Sequence, residues 1–502
     1  MKYVDNFLNG ITMYRLVLYH LIALLALAAL FGAVGWLPYA PLSLAYSTAV
    51  VLAASWLSNR VFAWTFDAIA NVESVYITAL ILVLIITPVA PGNLAGTGFL
   101  IFASVWAMAS KFIFAVGKRH VFNPAAFGVA LSALLISQSA TWWVGGNLIL
   151  LPFVLVGGFL ITRKVQRFDL VLAFFAVTFV SLLATSGNPL TGVMTLFLHT
   201  PFIFFASVML TEPLTTPPNR WLRMGYGALV GLLFSPNFSL FGFFFTPELA
   251  LIAGNVFSWA ASPKGRFMLA LKEVRETGSG VYDFVFESDR AFAFSPGQYL
   301  EWTLAHASPD GRGNRRYFTI ASSPTEGDVH LGVKFYKKAS SFKRALAAMK
   351  IGDKISVSHL AGEFTLPRDP KKKLAFIAGG IGVTPFRSMI QYLVDKKEPR
   401  SVVMLYANRK AEDVSYEDVF EKAQNELGIR TVYALSDEKG PIPGAHAGSV
   451  DAELIRKKIP DYAERIFYIS GPHGMVSAFT DTLAGMGVPR RHIRSDFFPG
   501  FA

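Results

Sequence analysis

The stretch Lys373-Leu-Ala-Phe-Ile-Ala-Gly-Gly-Ile-Gly-Val-Thr-Pro-Phe-Arg-Ser-Met-Ile390 decides the fold of the second half of the chain. The apolar run 374–378 is typical of a buried parallel strand, and a Gly-Gly-x-Gly turn follows it. Pro385 then suits the first turn of a helix. A strand, a glycine turn and a helix start together present free backbone N–H groups to a phosphate. The stretch therefore predicts a nucleotide-binding loop.

The predicted secondary structure differs on the two sides of this loop. Upstream, six short strands are predicted at close spacing, which indicates a small antiparallel barrel. Beyond Arg368 strands alternate with helices, which indicates a doubly wound α/β nucleotide domain. The predicted barrel strands are 267–274, 282–287, 299–304, 316–321, 329–335 and 354–358. The later strands are 374–378, 402–407, 431–434 and 465–469, and the helices are 384–395, 415–426, 449–457 and 474–485.

The first 260 residues have a different character, because apolar segments alternate there with short polar loops. This pattern predicts a polytopic α-helical membrane domain of about ten spans. The predicted spans are 14–36, 40–58, 74–90, 97–116, 123–138, 147–162, 168–186, 193–211, 221–235 and 240–260. We accordingly expect three domains, a membrane domain at 1–262, a β-barrel at 263–368 and an α/β domain at 369–502.

Positive residues are distributed unevenly among the predicted loops. Every second loop carries Lys or Arg, as at Arg60, Arg119, Arg163 and Arg220, and the loops between them carry none. Under the positive-inside rule this places both termini and the C-terminal domains in the cytoplasm. The sequence thus predicts a multi-pass protein of the cytoplasmic (inner) membrane, in contact with the lipid bilayer.

The composition excludes several classes of chemistry. The chain of 502 residues has no cysteine, so disulfides, cysteine-ligated iron–sulfur clusters and thiolate catalysis are excluded. The net charge of +12 comes from membrane-flanking loops and from the C-terminal half, so we expect no nucleic-acid partner. Any redox chemistry must therefore use organic cofactors or a histidine-ligated metal, and of these we expect organic cofactors and no metal site.

Four motifs of the C-terminal half, in this order and spacing, resemble the ferredoxin–NADP reductase superfamily across residues 266–502. They are Arg316-Tyr-Phe-Thr319, the turn ending in Ser340-Ser341, the glycine turn, and Ser470-Gly-Pro-His-Gly-Met475, where the family has Cys-Gly-Pro-x-x-Met. The resemblance implies an NAD(P)H-dependent flavin oxidoreductase that binds FAD.

The resemblance also assigns roles to residues. It implies that Arg316 pairs with the FAD pyrophosphate, that Phe318 stacks on the flavin and that the Thr319 hydroxyl reaches flavin N5. Catalytic roles would fall to Thr319, to Ser470 beside the nicotinamide and to Phe497, which would cover the flavin face. The expected cofactor-binding residues are Arg316, Tyr317, Phe318, Thr319, Lys334, Ser340, Ser341, Gly379, Gly380, Gly382, Thr384, Pro385, Gly471, Pro472 and Met475.

Two stretches of the N-terminal half, Phe122-Asn-Pro-Ala-Ala126 and Leu210-Thr-Glu-Pro-Leu-Thr-Thr-Pro-Pro218, combine polar groups with helix-breaking prolines. Broken helices can line a polar cofactor pocket inside a membrane. Together with the span pattern they resemble the family of the sodium-translocating NADH:quinone reductase B subunit and the Rnf complex D subunit. This implies a second flavin, FMN or riboflavin, with Asn123, Thr211, Thr215 and Thr216 as its ligands. The chain lacks the Gly-Ala-Thr tripeptide to which the family attaches FMN, so we expect non-covalent binding.

The dipeptide Ser436-Asp437, at the end of the strand 431–434, bears on the choice of nucleotide. A carboxylate there accepts hydrogen bonds from ribose hydroxyls and repels a 2′-phosphate. We therefore expect NADH as the donor, with NADPH as the alternative.

The function expected from these features is transfer of electrons from cytoplasmic NADH through FAD to a membrane-embedded flavin and on to an extracytoplasmic acceptor, such as a flavoprotein. An NADH:quinone oxidoreductase is one alternative, and a redox-driven ion transporter is another. Within the predicted spans Glu248 is the one carboxylate well inside, and it also fits the cap of a helix that begins late.

Overall fold

The computed structural model describes most of the chain. The residues described are 4, 7–8, 11–66, 72–116, 119–185, 187–236, 238–240, 242–262, 267–306, 310, 314–336, 339–437 and 442–498. The chain divides into two compact units, an N-terminal unit at Met1–Gly265 and a C-terminal unit at Arg266–Ala502.

The N-terminal unit is built from helices with two small hairpins between them. The helices are α1 (Met13–Ala33), α2 (Pro41–Thr65), α3 (Val72–Ile85), α4 (Leu94–Ile113), α5 (Pro124–Ile136), α6 (Leu151–Val165), α7 (Phe168–Thr185), α8 (Pro189–His199), α9 (Phe202–Phe204, continued by a π-helical turn at Phe205–Met209), α10 (Arg220–Phe234) and α11 (Pro247–Ala261). The hairpins pair β1 (Ala115–Val116) with β2 (Arg119–His120) and β3 (Ser239–Leu240) with β4 (Phe243–Phe244).

The expectation of about ten spans is wrong. Among the described residues, four helices are long and apolar enough to cross a membrane, namely α1, α2, α4 and α7, and a fifth span results if the bent pair α8 and α9 counts as one. Helices do occur in each predicted range, but α3, α5, α6, α10 and α11 have only 13 to 15 residues. At 1.5 Å per residue they reach about 20–22 Å, short of the ~30 Å hydrocarbon core. Apolar loop residues next to each helix made the segments look longer in the sequence.

Helix breaks in this unit coincide with prolines and polar caps. The pair α8 and α9 bends by 67° at the break that contains Pro201. Asn123 caps α5 by accepting the Ala126 N–H, and Thr246 caps α11 by accepting the Leu249 N–H. Because α11 begins at Pro247, Glu248 lies in its first turn. This agrees with the interpretation that the helix begins late in the predicted span and that Glu248 lies at its cap.

The C-terminal unit contains an antiparallel sheet of six strands, all in ranges that the sequence predicted. The strands are β5 (Phe267–Gly278), β6 (Val281–Ser288), β7 (Tyr299–Thr303), β8 (Arg315–Thr319), β9 (Val329–Lys334) and β10 (Lys354–Ala361). Their order is β8-β7-β10-β5-β6-β9, and the two edge strands β8 and β9 also lie close together, so the sheet curls toward a barrel. Trp302 and Phe286 are fully buried in its core.

A parallel sheet follows, with helices over both faces. Its strands are β11 (Leu374–Gly379), β12 (Val402–Asn408), β13 (Arg430–Leu435), β14 (His446–Ala447), β15 (Ile466–Pro472) and β16 (Ile493–Phe498), in the order β14-β13-β12-β11-β15-β16. The helices of this unit are α12 (Ser341–Ala347), α13 (Thr384–Lys396), α14 (Glu417–Leu427), α15 (Ala452–Lys458) and α16 (His473–Gly485). The central strand β11 is buried at all six positions, which explains its continuous apolar run.

Candidate functional site

The glycine turn lies at the carboxyl edge of the parallel sheet. Strand β11 ends at Gly379, a 3-10 turn covers Gly380–Val383, and α13 begins at Thr384. Gly380 has a φ of +52°, which disfavours a side chain. A Cβ on Gly382 would lie 2.5 Å from the Ser470 carbonyl oxygen, and one on Gly379 would strike the Met475 sulfur. These contacts pack the turn against β15 and Met475, whereas a Cβ on Gly380 would meet no atom within 4 Å, so the backbone is open to a close ligand at Gly380.

Strand β15 supplies the neighbouring wall. Ser470 pairs with Ala378 across the two strands and is fully buried. Its Oγ has no hydrogen-bond partner in the described structure. Gly471 and Pro472 end the strand, and Met475 lies in the first turn of α16. Ser470, Gly471 and Met475 therefore lie directly beside the glycine turn.

Thr319, at the end of β8, presents a second isolated hydroxyl. It is 3% exposed, and its Oγ1 has no partner among the described residues. Phe318 lies beside Phe342 with ring centroids 5.9 Å apart. The Tyr317 side chain is directed toward Glu301 of β7, because its hydroxyl donates to that buried carboxylate at 2.7 Å.

The turn before α12 binds an acidic side chain of the same unit. Ser340 caps this helix by accepting the Lys343 N–H. The Ser341 N–H donates to Asp310 Oδ2 at 2.8 Å, and Asp310 Oδ1 lies 3.6 Å from an Arg316 guanidinium nitrogen. A carboxylate thus contacts the two groups that the resemblance assigned to the FAD pyrophosphate.

Two other predicted site residues have different surroundings. Lys334 forms an ion pair with Asp413 at 2.6 Å, which links β9 to the segment after β12. The side chain of Phe497 lies outside the described part of the structure, although its backbone pairs with Gly471.

Asp496 is a further candidate site residue, which the sequence reasoning did not single out. It pairs with Ser470 in the ladder between β15 and β16, so both side chains project from the same face of the sheet. Burial raises the pKa of the Asp496 carboxyl to about 6. Its place in the acidic and aromatic tail, next to the strand that carries Ser470, was the available signal.

These features fit a bound flavin and a bound nicotinamide nucleotide. The hydroxyls of Thr319 and Ser470 are buried without partners, and buried polar groups are normally paired. Gly379 and Gly382 pack directly against Met475 and Ser470, whereas a Cβ on Gly380 would meet no atom within 4 Å, so the turn has open space at Gly380. The residues present can therefore hold FAD on the antiparallel sheet and NAD(P)H on the glycine turn.

A polar cluster in the N-terminal unit gathers around Glu212. Asn123 donates from Nδ2 to its carboxylate at 2.8 Å, His120 Nε2 lies 3.4 Å away, and the Thr215 hydroxyl lies at 3.2 Å. The Asn255 amide oxygen accepts the Asn123 N–H at 2.7 Å. This set, here called the Glu212 cluster, joins the two stretches that the sequence singled out.

The other predicted ligands of a membrane flavin are turned away from Glu212. The Thr211 hydroxyl donates to the Ser207 carbonyl of its own helix, and the Thr216 hydroxyl lies 3.5 Å from the Pro213 carbonyl. The cavity beside the cluster, lined by His120, Thr215, Asn255 and others, has a volume of only about 20 Å³. That is room for a water molecule. The donors suit a flavin, but the cavity does not fit an isoalloxazine ring.

Glu212 itself was not predicted as a ligand, although it lies in the quoted stretch 210–218. The sequence signal was a carboxylate between a threonine and a proline at the end of a broken helix. His120 and Asn255 carried no local signal, because each joins the cluster only through tertiary packing.

Comparison with known proteins agrees with the C-terminal site. Residues 376–481 match the family model of the oxidoreductase NAD-binding domain. The chain is 26% identical over 266 residues to a flavohemoprotein of Bacillus cereus, covering 49% of this chain and 65% of that protein. It is 28% identical over 213 residues to the reductase component of propane 2-monooxygenase from Rhodococcus jostii, covering 41% of this chain and 56% of that protein. The chain thus spans between half and two thirds of the length of these curated relatives.

Solved structures align with the chain as well. The Amycolatopsis cytochrome P450 reductase GcoB has a TM-score of 0.42 and 22% identity, over 47% of this chain and 72% of that one. Flavohemoglobin from Malassezia yamatoensis has a TM-score of 0.44 and 15% identity, over 96% of this chain and 98% of that one.

The C-terminal unit is therefore a ferredoxin–NADP reductase-like module for FAD and NAD(P)H. This part of the chain makes it an NAD(P)H-dependent flavin oxidoreductase. The family match lies within the C-terminal unit, so the resemblance of the N-terminal unit to the two membrane subunits stays a hypothesis.

Proposed function

We propose that the chain is a membrane-bound flavoprotein that oxidises cytoplasmic NADH and passes the electrons through FAD, across the N-terminal unit, to an extracytoplasmic acceptor. One observation carries the proposal: a single chain joins a reductase module to a unit with four helices that are long and apolar enough to span a membrane. A reductase module needs no such helices to serve a soluble acceptor. Their presence therefore favours an acceptor in or beyond the membrane.

The net reaction at the C-terminal unit is NADH + H⁺ + FAD → NAD⁺ + FADH₂. When bound, FAD links a two-electron donor to acceptors that take one electron at a time. The glycine turn would bind the NADH pyrophosphate through backbone N–H groups. Arg316 would bind the FAD pyrophosphate, and Ser470 would border the nicotinamide. The division into 1–262, 263–368 and 369–502 is part of this proposal.

The first test is the flavin content of the protein purified in detergent. After acid precipitation, released FAD, FMN and riboflavin are quantified, and the polypeptide is checked for retained fluorescence. About one FAD and one second flavin per chain would support a flavin in the membrane unit. FAD alone would mean that the small cavity beside the Glu212 cluster holds no flavin and that the electrons leave by another carrier. The absence of FAD would contradict the proposal.

A second test measures the direction of transfer. The protein is reconstituted in vesicles that contain a trapped membrane-impermeant redox dye, and NADH is added outside. Reduction of the trapped dye supports delivery across the membrane. NADH oxidation that requires an added lipid-soluble quinone and leaves the dye oxidised supports the quinone alternative.

A specific feature favours that alternative as the second candidate. An apolar groove of about 340 Å³ runs along α1 and α6, lined by Leu24, Phe153 and others. His20 borders the groove, and its Nε2 has no hydrogen-bond partner in the described structure. An isoprenoid quinone combines an apolar tail with carbonyl acceptors, which matches this lining.

A further inference from the structure

Helix α13, which begins at the glycine turn, is tied directly to the segment that follows the Thr319 hydroxyl. The Arg387 guanidinium forms a two-pronged ion pair with Glu326, with one bond of 2.8 Å between Nη2 and Oε1. It also donates to the Ala321 carbonyl at 3.2 Å. Ser388 donates from Oγ to the Ser322 carbonyl at 2.6 Å. Four bonds thus connect the first turns of α13 to residues just beyond the candidate flavin contact.

A second set of bonds links the parallel sheet to strands β6 and β9. The Asp283 carboxylate contacts His330 Nδ1 at 2.7 Å and accepts the Tyr416 hydroxyl at 3.1 Å. Asp283, His330 and Tyr416 are exposed by 2%, 6% and 5%, so water does not compete for these bonds. Tyr416 is held in the left-handed region, with a φ of +61°, which costs a non-glycine residue about 1 kcal/mol or more.

The two sets meet beside the nucleotide loop. The Arg387 guanidinium lies 5.7 Å from the centroid of the Tyr416 ring. A Cβ on Gly332 of β9 would lie 2.5 Å from the Tyr416 hydroxyl and 2.7 Å from Thr384 Cγ2. Thr384 is the first residue of α13. The loop that would bind the dinucleotide is therefore in contact with β9, the opposite edge strand, which lies close to β8 in the curled sheet.

A polar junction of this kind restricts movement in a way that an apolar one does not. Burying an ion pair such as Arg387–Glu326 costs desolvation energy that a well-packed apolar contact would avoid. Bidentate and charge-assisted bonds, however, fix both distance and direction. A misplacement of about 1 Å can slow a positioned reaction about 100-fold.

We propose that Arg387 and Tyr416 are positioning residues that set the separation between the nicotinamide and the flavin, by holding α13 against residues 319–326. This inference rests on the proposed function in that it requires hydride transfer from NADH to FAD in the C-terminal unit. Neither residue needs to touch the reacting atoms. Each acts through the placement of the loop that begins at Gly379.

The test compares the wild type with an Arg387→Met/Glu326→Gln double variant and with Tyr416→Phe. The double variant removes both charges together, so that no buried charge is left unpaired, and Tyr416→Phe removes a single hydroxyl. A Lys422→Met/Glu426→Gln variant is the matched control, because that pair is exposed on α14 with 4.0 Å between the charged atoms. Flavin reduction by NADH is followed by anaerobic stopped-flow, and the long-wavelength charge-transfer absorption formed with NAD⁺ is recorded at equilibrium. Amide hydrogen exchange in α13 is measured without nucleotide.

We expect the double variant to reduce its flavin about 10- to 100-fold more slowly, and Tyr416→Phe about 3- to 10-fold more slowly. NADH affinity and FAD content should change by less than about threefold. The charge-transfer absorption should weaken, exchange in α13 should rise, and the control should match the wild type. Unchanged flavin reduction and absorption in FAD-loaded Tyr416→Phe, or a loss confined to thermal stability, would overturn the positioning role. Failure of the wild type to reduce its flavin with NADH would instead contradict the proposed function. In that case, amide hydrogen exchange would still show whether Arg387 and Tyr416 hold α13 in place.

Discussion

The carboxylate of Asp310 accepts the backbone N–H of Ser341 at 2.8 Å, while the Ser341 hydroxyl accepts the backbone N–H of Asp310 at 2.9 Å. The same carboxylate lies 3.6 Å from Arg316. The resemblance to ferredoxin–NADP reductases implies that Ser341 and Arg316 hold the FAD pyrophosphate. Asp310 and the cofactor would therefore compete for one set of donors.

Replacing Asp310 by Asn should tighten FAD binding. The amide keeps the size of the side chain but loses the negative charge that pairs with Arg316 and repels a diphosphate. We expect the Kd for FAD to fall about 3- to 10-fold, equivalent to about 0.7–1.4 kcal/mol. Titration of the apoprotein, followed by quenching of flavin fluorescence, measures this. Asp328→Asn is the control, since Asp328 pairs with the exposed Lys272. Weaker FAD binding by Asp310→Asn would show that Asp310 supports the site instead of competing for it.

Adding a methyl group at Gly382 should close the nucleotide loop without disturbing FAD. Its Cβ would lie 2.5 Å from the Ser470 carbonyl oxygen and 2.6 Å from Gly471 Cα, both of which are backbone atoms that cannot move aside easily. We expect Gly382→Ala to raise the KM for NADH at least about tenfold, with one FAD still bound. Gly485→Ala is the control, because a Cβ there has open space around it. A normal KM would mean that the nucleotide binds elsewhere.

The C-terminal unit could be predicted from sequence because its signals are local. The run 374–378 and the glycines after it specify a strand and a turn within a few residues, and the structure confirms both. All six strands of the antiparallel sheet were also predicted, because they are short strand-forming stretches at close spacing. By contrast, the tie between Arg387 and Glu326 connects residues 61 positions apart. No local pattern reveals such a pair.

The N-terminal unit was harder, because hydropathy measures composition and does not measure helix length. The ten apolar ranges each contain helix, but apolar residues continue into loops such as 86–90 beyond the end of the helix. Glu212 illustrates a related limit. Its hydrogen-bond partners are His120, Asn123 and Thr215. Of these, only Asn123 and Thr215 lie in the stretches that the sequence singled out.

Removing the carboxylate of Glu212 should destabilise the N-terminal unit. Glu212→Leu would leave the Asn123 amide and the Thr215 hydroxyl without their buried partner, at a cost of about 2–4 kcal/mol in the free energy of unfolding. Thermal unfolding in detergent measures the loss. Glu73→Leu is the comparison, since Glu73 forms a half-exposed ion pair with Arg15 that should contribute about 1 kcal/mol or less. Equal losses in the two variants would contradict a special role for the Glu212 cluster.

Asp437 should decide the choice between NADH and NADPH. Its carboxylate accepts the Ser436 hydroxyl at 2.7 Å and is exposed at the end of β13. Asp437→Ser removes the charge that would repel a 2′-phosphate, so the KM for NADPH should fall about tenfold, while the KM for NADH rises. Steady-state kinetics with both nucleotides provide the measurement. Asp418→Ser, on the exposed surface of α14, is the control. Asp451→Ser is unsuitable as a control, because Asp451 caps α15. A ratio of the two KM values equal to that of the wild type would place the ribose elsewhere.

The pH dependence of stability should reveal the buried carboxyl of Asp496. Burial raises its pKa from the ordinary 3.8 to about 6 in the folded chain. The folded state therefore holds this proton more tightly than the unfolded state, and the benefit is fully present below pH 3.8. It is lost as the pH rises to about 6, because the folded chain must then keep a buried charge. Above this window Asp496 lowers the free energy of unfolding by about 1–3 kcal/mol.

Asp496→Asn, which cannot ionise, should therefore be more stable than the wild type near pH 8, and this advantage should shrink toward zero near pH 4. Thermal unfolding of the detergent-purified protein across this range measures the difference. Asp481→Asn on α16 is a useful comparison, since Asp481 is exposed. A stability difference that stays constant with pH would mean that Asp496 titrates normally. If FAD and NAD⁺ reduce the difference near pH 8, Asp496 faces the bound cofactors, as its pairing with Ser470 in the sheet predicts.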